Sequence, residues 1–566
     1  MQSKFKDFKY KRPDIQPLKN EFNTLLSEFN NAENSDEQYN CLKKINDLRK
    51  NFDTMSTISS IRYTINTKDK YYSDEHDFFD RIMPDYSGLV NELKESLLKS
   101  KFRSQLEIKC GKQLFALAEL TTKTFSPEVV EDLKTENCLV TEYVKIIASA
   151  KIMFDGEERN LAGMGPFMQS GNREIRKSAH EAKWKFFEDN EKELDRIYDE
   201  LVKIRTKIAK KLGYKNFIEL AYDRMRRTDY GWKEVEDFRN KVKEFIVPVS
   251  QKLRDLQKQR IGLEHLYYYD IDYYFKNGNP APKGDPDWIV EKAEKMYDEL
   301  SDETGKFMHL MIDHQLMDLV NKKGKSAGGY CTFIPNYESP FIFSNMNGTS
   351  HDIIVLTHEA GHAFQAYESR GFETPEYIHP TLEACEIHSM SMEFITYPWM
   401  ELFFQEDTDK FFYSHLSQRV LFIPYGVTVD EFQHKIYENP DATPEERKKM
   451  WRETEMKYLP HIDYENNDFL NKGGFWFHQG HIFKKPFYYI DYCLAQICAL
   501  QFWRKCNHDR NIAWEDYLQL CKAGGSKPFL ELLKIAKLES PFDKKVVESI
   551  VGYSDEWLES VSKVYS

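Results

Sequence analysis

The chain has 566 residues, 41% hydrophobic and 30% charged, a globular composition and not a disordered one. One core cannot serve this length, since cores stop growing near roughly 250–300 residues, so two or more subdomains are expected. The 79 basic and 92 acidic side chains leave a net charge of −13, which repels phosphate backbones and anionic lipid and argues against a nucleic acid or a membrane as partner.

The start, MQSKFKDFKYKRPD, carries charges but no apolar stretch of a secretory signal. The longest apolar runs, such as Cys493 to Phe502, fall short of the roughly 18–20 residues of a membrane span. Nine cysteines are scattered without a C-x-x-C pair. This pattern excludes a cysteine zinc ribbon and fits reduced thiols in the cytosol, so a cytoplasmic location is expected.

Residues 14 to about 270 read as helix after helix. LKNEFNTLLSEF (18–29), YNCLKKINDLRKNF (39–52), the stretch 91–120 and a charged stretch around 173–212 carry apolar residues at helical spacing. The aromatic run YYYDIDYYF (267–275) is expected in core packing. Gly and Pro then punctuate KNGNPAPKGDPDW (276–288), a loop. Within KSAGGYCTFIPNYESPFIFSNMNGTSHD (325–352), YCTFI and FIF predict a small hairpin or edge strand. A free edge of that kind can pair with an extended peptide. Helices resume after 352, and Thr443 followed by acidic residues predicts a helix start at TPEERKKMW (443–451).

The chemistry concentrates in IIVLTHEAGHAFQAYESRG. His358 and His362 stand four apart, so on a helix both imidazoles leave one face, a pair suited to zinc. Glu359 beside the first His is placed to act as general base on a metal-activated water. Gly361 would admit a second helix closely, and Gly371 could end this one. A third ligand is expected from TLEACEIHSMSMEFITY, where Glu383, Glu386 and Glu393 stand at i, i+3 and i+10 on an otherwise apolar helix. Spacing favours Glu386 only weakly over Glu383. Glu383 is then the expected partner of a ligand His. Cys385 points about 100° away and reads as packing. His388 is off the ligand face, and His309 with His314 are a poor metal pair.

Taken together, GGYCT (328–332), PFIFSNMNGTSHD (340–352), LTHEAGHAFQ (356–365), EIHSMSMEF (386–394), VDEFQHKIY (429–437) and GHIFKKPFYYIDY (480–492) resemble the M3 family of zinc oligopeptidases, in its oligoendopeptidase F branch. The thimet branch usually has HEFGHxxH; here Ala360 and Gln365 depart from it without touching the ligands. The resemblance is firm over about 200–566. It implies a mainly α, clam-like zincin with a deep substrate channel and a small β element next to the active-site helix. Residues 1–200 would form one helical wall and 201–566 the catalytic part. It implies one zinc per chain on His358, His362 and Glu386, with Glu359 as base. It also implies His481 with Tyr488 or Tyr492 as donors to the oxyanion, Gly328, Gly329, Tyr330 and Phe343 as a clamp for extended substrate, and Tyr489, adjacent to the donors, as a further substrate contact. The implied activity is endopeptidase cleavage of short peptides. A related zinc exopeptidase and a non-catalytic peptide-binding protein are the alternatives. Oligomeric state is open.

Overall fold

The computed structural model describes residues 4–326 and 328–562. The N-terminal part is a stack of helices: α1 (Ile15–Asn31), α2 (Ser35–Ile65), α3 (Lys70–Lys99), α4 (Arg103–Cys110) and α5 (Lys112–Lys123). Each of the first three begins where a short polar side chain accepts from the orphan N–H groups of the first turn: Asp14 from Gln16, Asn34 from Glu37, Asp69 from Tyr71 and Tyr72. The stretch 91–120, read above as helix throughout, is broken twice. Gly111 separates α4 from α5 at φ +85°, a left-handed step that only glycine takes cheaply.

Next come α6 (Val130–Ala148), a short hairpin of β1 (Ile152–Phe154) and β2 (Glu157–Arg159), and α7 (Arg173–Asp189) with α8 (Glu191–Lys211). Further helices run between 217 and 313. In the aromatic run, Tyr268, Tyr269, Tyr273, Tyr274 and Phe275 are buried, which is the packing role expected of them. Hydrophobic packing divides the chain early. Most buried residues between Phe22 and Phe115 form two clusters, one of them with Tyr377, whereas Ile58, Ile61 and most buried residues from Val129 onward join one large core.

The β element has three strands, one more than the sequence suggested: β3 (Met317–Val320), β4 (Tyr330–Ile334) and β5 (Ser339–Met346), in the order β3-β5-β4. β5 lies in the middle, parallel to β3 and antiparallel to β4, with Tyr330 opposite Phe343. β4 is therefore an edge. The end of α2 supports its entrance: Thr64 Oγ1 meets the Tyr330 hydroxyl at 2.6 Å, and Ser326 N–H donates to Thr64 O at 2.8 Å.

The remaining helices build the interior: α9 (His351–Ser369), α10 (Leu382–Ile395), α11 (Thr408–Glu438), α12 (Pro444–Tyr458) and α13 (Tyr489–His508). α10 packs on both α9 and α13. Gly361 makes the first of these approaches possible, since a Cβ there would stand 2.6 Å from His388 O and 2.7 Å from Ser389 Cα. α9 stops at Ser369, with Arg370 as its cap and Gly371 the first residue beyond it. Thr443 and Glu446 form a full capping box at the start of α12.

Candidate metal centre

α9 presents His358 and His362 one turn apart, with ring centroids at 5.1 Å and planes at 84°. α10 runs antiparallel to it and brings Glu386 between the two rings. Glu386 Oε2 lies 3.2 Å from His358 Nε2 and 3.5 Å from His362 Nε2. All three donor atoms fall within 4.8 Å of one another, a span one metal ion can satisfy. Ser389 Oγ donates to Glu386 Oε2 at 2.9 Å, and the Tyr488 hydroxyl donates to Oε1 at 2.5 Å.

The pocket is built for positive charge. Burial alone would lower the basicity of His358, but Glu386 and Glu393 outweigh it and push the imidazolium up to about 10. Burial would raise Glu386, yet His362 and His358 hold it well below the ordinary carboxylate range. Two carboxylates facing two imidazoles attract either a proton or a divalent cation. The donor set of two imidazoles and one carboxylate is the one zinc accepts, with room for a water.

The expected partner of the ligand His is a different acid. Glu393, not Glu383, meets His358 Nδ1, at 2.8 Å. Its other oxygen accepts from His415 Nε2 at 2.7 Å and from Arg419 Nη2 at 2.5 Å, both on α11. Tyr397 continues the chain to His415 Nδ1 at 2.6 Å. Glu383 turns away: it is fully buried, accepts from Thr381 Oγ1 at 3.0 Å, and is pushed up to about 8 by burial and by Asp491. The reason is helix geometry. Seven residues of α-helix return to within about 20° of the starting face, whereas three fall about 60° off it.

Glu359 is 8% exposed. Burial raises its carboxyl, with His358 and His362 pulling back. The segment entering β4 crosses directly over it. A Cβ on Gly329 would lie 3.6 Å from Glu359 Oε1 and 3.4 Å from Phe343 O, and Gly328 holds φ +95°. The two glycines thus serve backbone proximity and backbone conformation respectively. Tyr330 stacks on Phe343 at 4.8 Å and 9°. Phe343 itself is fully buried in the central strand, so the substrate-contact role expected of it does not fit; it supports Tyr330 from beneath.

The loop before α13 faces Glu386. His481 lies with its ring 5.6 Å from Tyr488, 5.1 Å from Tyr489 and 5.9 Å from Tyr492. Tyr425 donates its hydroxyl to Gln479 Oε1 at 2.7 Å, which turns the Gln479 amide N–H toward His481 Nδ1, also at 2.7 Å. An acceptor Nδ1 leaves the proton on Nε2, free to donate. Burial lowers His481 to about 4, so it is neutral near pH 7. Among the tyrosines, Tyr488 reaches Glu386, Tyr492 packs on Tyr488 at 4.9 Å, and Tyr489 turns to Phe422 and Tyr425. Sequence reasoning placed Glu393 among the candidate acids without its role as partner of His358, and missed His415, Arg419, Gln479 and Ser389. Only Glu393 carried a usable signal, its sevenfold spacing from Glu386. Cys385 donates weakly to Pro380 O, and His388 is buried against Tyr517, in keeping with packing roles.

The chain is similar over most of its length to known peptidases. A family model described as Peptidase family M3 matches residues 166–297 and 282–552, and one described as Peptidase M3 N-terminal domain matches 5–125. An oligoendopeptidase F homolog of Borreliella burgdorferi is 25% identical over 405 residues, 70% of this chain and 67% of that protein. Oligopeptidase PepF of Bacillus subtilis is 21% identical over 401 residues, 68% of this chain and 57% of that one. A solved structure of PZ peptidase A with an inhibitor superposes with a TM-score of 0.97 at 58% identity, covering 98% of this chain and 99% of that one.

Proposed function

Because the chain belongs to peptidase family M3, we propose that it is a zinc endopeptidase that hydrolyses internal bonds of short peptides, with Glu359 as general base. The observation that carries the reading is the convergence of His358 Nε2, His362 Nε2 and a Glu386 oxygen within 4.8 Å, with buried Glu359 alongside on the same helix.

His358, His362 and Glu386 would hold the zinc, one ion per chain. When bound there, zinc polarises a peptide carbonyl and makes a water more acidic. The chain's own groups do the rest. An extended peptide adds by strand pairing to the edge of β4 near Gly328, Gly329 and Tyr330. Glu359, its carboxylate made more basic by burial, takes the proton from the attacking water. It then hands that proton to the departing amine as the C–N bond breaks. His481, through Nε2–H, and the Tyr488 hydroxyl donate to the carbonyl oxygen as it gains negative charge. Tyr488 must exchange its bond to Glu386 for one to the substrate. Tyr492 packs against Tyr488 and limits its swing.

The test is mass spectrometry of synthetic peptides from about five to about thirty residues, a range that brackets a channel-limited substrate. Wild type and Glu359→Gln are compared, each with its zinc content measured. Internal cuts in the shorter peptides, lost in the variant while zinc stays bound, are expected. Trimming only from the ends, or turnover by Glu359→Gln, would overturn the reading.

A further inference from the structure

The loop that delivers Tyr488 turns through one strained residue. Among the described residues, eight non-glycine positions have positive φ: Asp155, Arg226, Gln315, Glu338, Gln405, Glu465, Phe487 and Lys537. Seven are polar or charged and at least partly exposed. Phe487 alone is aromatic and fully buried, at φ +65°. A bulky side chain in the left-handed region persists only where its surroundings over-determine it.

Here they do, and through side chains distant in sequence. Both backbone polar groups of Phe487 are held. Its N–H donates to Gln433 Oε1 at 2.9 Å, and its C=O accepts from Arg227 Nη2 at 2.6 Å. Gln433, on α11, is oriented by its own bond from Nε2 to Val429 O at 3.1 Å. Arg227 is oriented by Asp491, whose Oδ1 lies 2.6 Å from the same Nη2. The Phe487 ring is enclosed by Phe217, Tyr222, His434 and Tyr437. Tyr488 follows at once. Its C=O accepts from Asp491 N–H at 2.9 Å, which opens α13, and its hydroxyl points at Glu386. The left-handed step at 487 therefore sets the direction in which Tyr488 leaves the loop.

We propose that Arg227 and Gln433 are positioning residues that clamp the backbone of Phe487 in its left-handed conformation and thereby hold Tyr488 beside Glu386, where its hydroxyl can turn to the reacting carbonyl. Neither touches substrate. The proposal rests on the reading of Tyr488 as an oxyanion donor. A donor displaced by about 1 Å can lose about a hundredfold in rate, so a clamp one residue upstream has a kinetic consequence.

A double-mutant cycle in the full-length zinc-loaded protein tests it. Gln433→Met removes the acceptor at near-constant volume, and Gln433→Glu keeps an oxygen there. Each is made alone and with Tyr488→Phe, and kcat and KM are measured on an internally quenched peptide, with zinc content. Tyr488→Phe is expected to lower kcat about a hundredfold, as loss of an oxyanion donor does. Gln433→Met is expected to lower kcat about tenfold or more with KM and zinc content unchanged, and Gln433→Glu to restore most of it. On the Tyr488→Phe background Gln433→Met should cost less than about twofold, because the group it aims is gone. Should Gln433→Met not fold, Arg227→Lys, which keeps a cation for Asp491, takes its place in the cycle. A full loss persisting on the Tyr488→Phe background overturns the clamp, as does wild-type kcat in Gln433→Met beside an impaired Tyr488→Phe. Wild-type kcat in Tyr488→Phe overturns instead the oxyanion reading, and the clamp with it.

Discussion

Replacing Glu393 with Gln changes one atom's chemistry in a fully built network, and its effect on zinc can be worked from the structure. Glu393 is 2% exposed and accepts from His358 Nδ1 on one oxygen and from His415 and Arg419 on the other. An amide supplies a single acceptor. The oxygen will face His415 and Arg419, since two donors there outweigh one. The amide N–H₂ then faces His358 Nδ1, which must become an acceptor and move its proton to Nε2. That nitrogen is the one aimed at Glu386 and the metal, and a protonated nitrogen cannot ligate. Loss of such an outer partner typically costs about 10–100-fold in metal affinity, about 1.4–2.8 kcal/mol, and the forced tautomer puts the expectation at the upper end. Zinc dissociation constants by competition with a chromophoric chelator measure this directly. Glu383→Gln is the paired control, expected to leave zinc affinity within about twofold because Glu383 touches Thr381 and no ligand. Undiminished zinc affinity in Glu393→Gln, or an equal loss in Glu383→Gln, would refute the reasoning.

Gly361→Ala puts a Cβ 2.6 Å from His388 O, so α9 and α10 must part; a stability loss of about 1–3 kcal/mol and weaker zinc binding are expected, and an unchanged melting temperature would contradict the close approach. Burial would raise Glu376, but Arg49 beside it, with its Nη2 2.6 Å away, wins and lowers the carboxyl to about 2. A depressed acid stabilises the fold above its unfolded pKa of about 4.3 and loses that contribution as pH falls toward 2, here about 3 kcal/mol at most. Chemical denaturation should therefore find Glu376→Gln less stable than wild type at pH 7, with the gap closing between pH 5 and 2; a constant gap would rule the pair out as the cause. Zinc that binds only the folded chain must also stabilise it, by about 2.7 kcal/mol at one hundred times its dissociation constant. Scanning calorimetry of metal-stripped protein with and without added zinc measures this, and identical melting would exclude the site.

What the sequence made legible was local. Four-residue spacing of His358 and His362 is a property of one helix, as is the cap at Thr443, and both were readable without partners. The misses are pairings between distant segments. β3 is four residues long and finds its place parallel to β5, across a loop, so no alternation in MDLV announces it. Phe343 looked like a substrate contact because its strand carries the resemblance; that the strand is central and not an edge depends on β3. His415 and Arg419 reach Glu393 from a helix whose approach no spacing in α10 records.

Glu393 is the instructive case, because its signal was present and had a physical form. Once two ligand histidines fix one face of α9, a helix crossing it antiparallel must carry its acids in reverse order. The later acid then meets the earlier His. Glu386 sits between both rings, Glu393 reaches only His358, and Gly361 touches down at His388 and Ser389, between them. Glu383 lies on the other side of Glu386 from Glu393 and about 60° off its face, so it meets Thr381 and not His358. The close contact at Gly361 holds the two helices against each other, and so sets which acid stands between the two histidines and which acid meets His358 Nδ1.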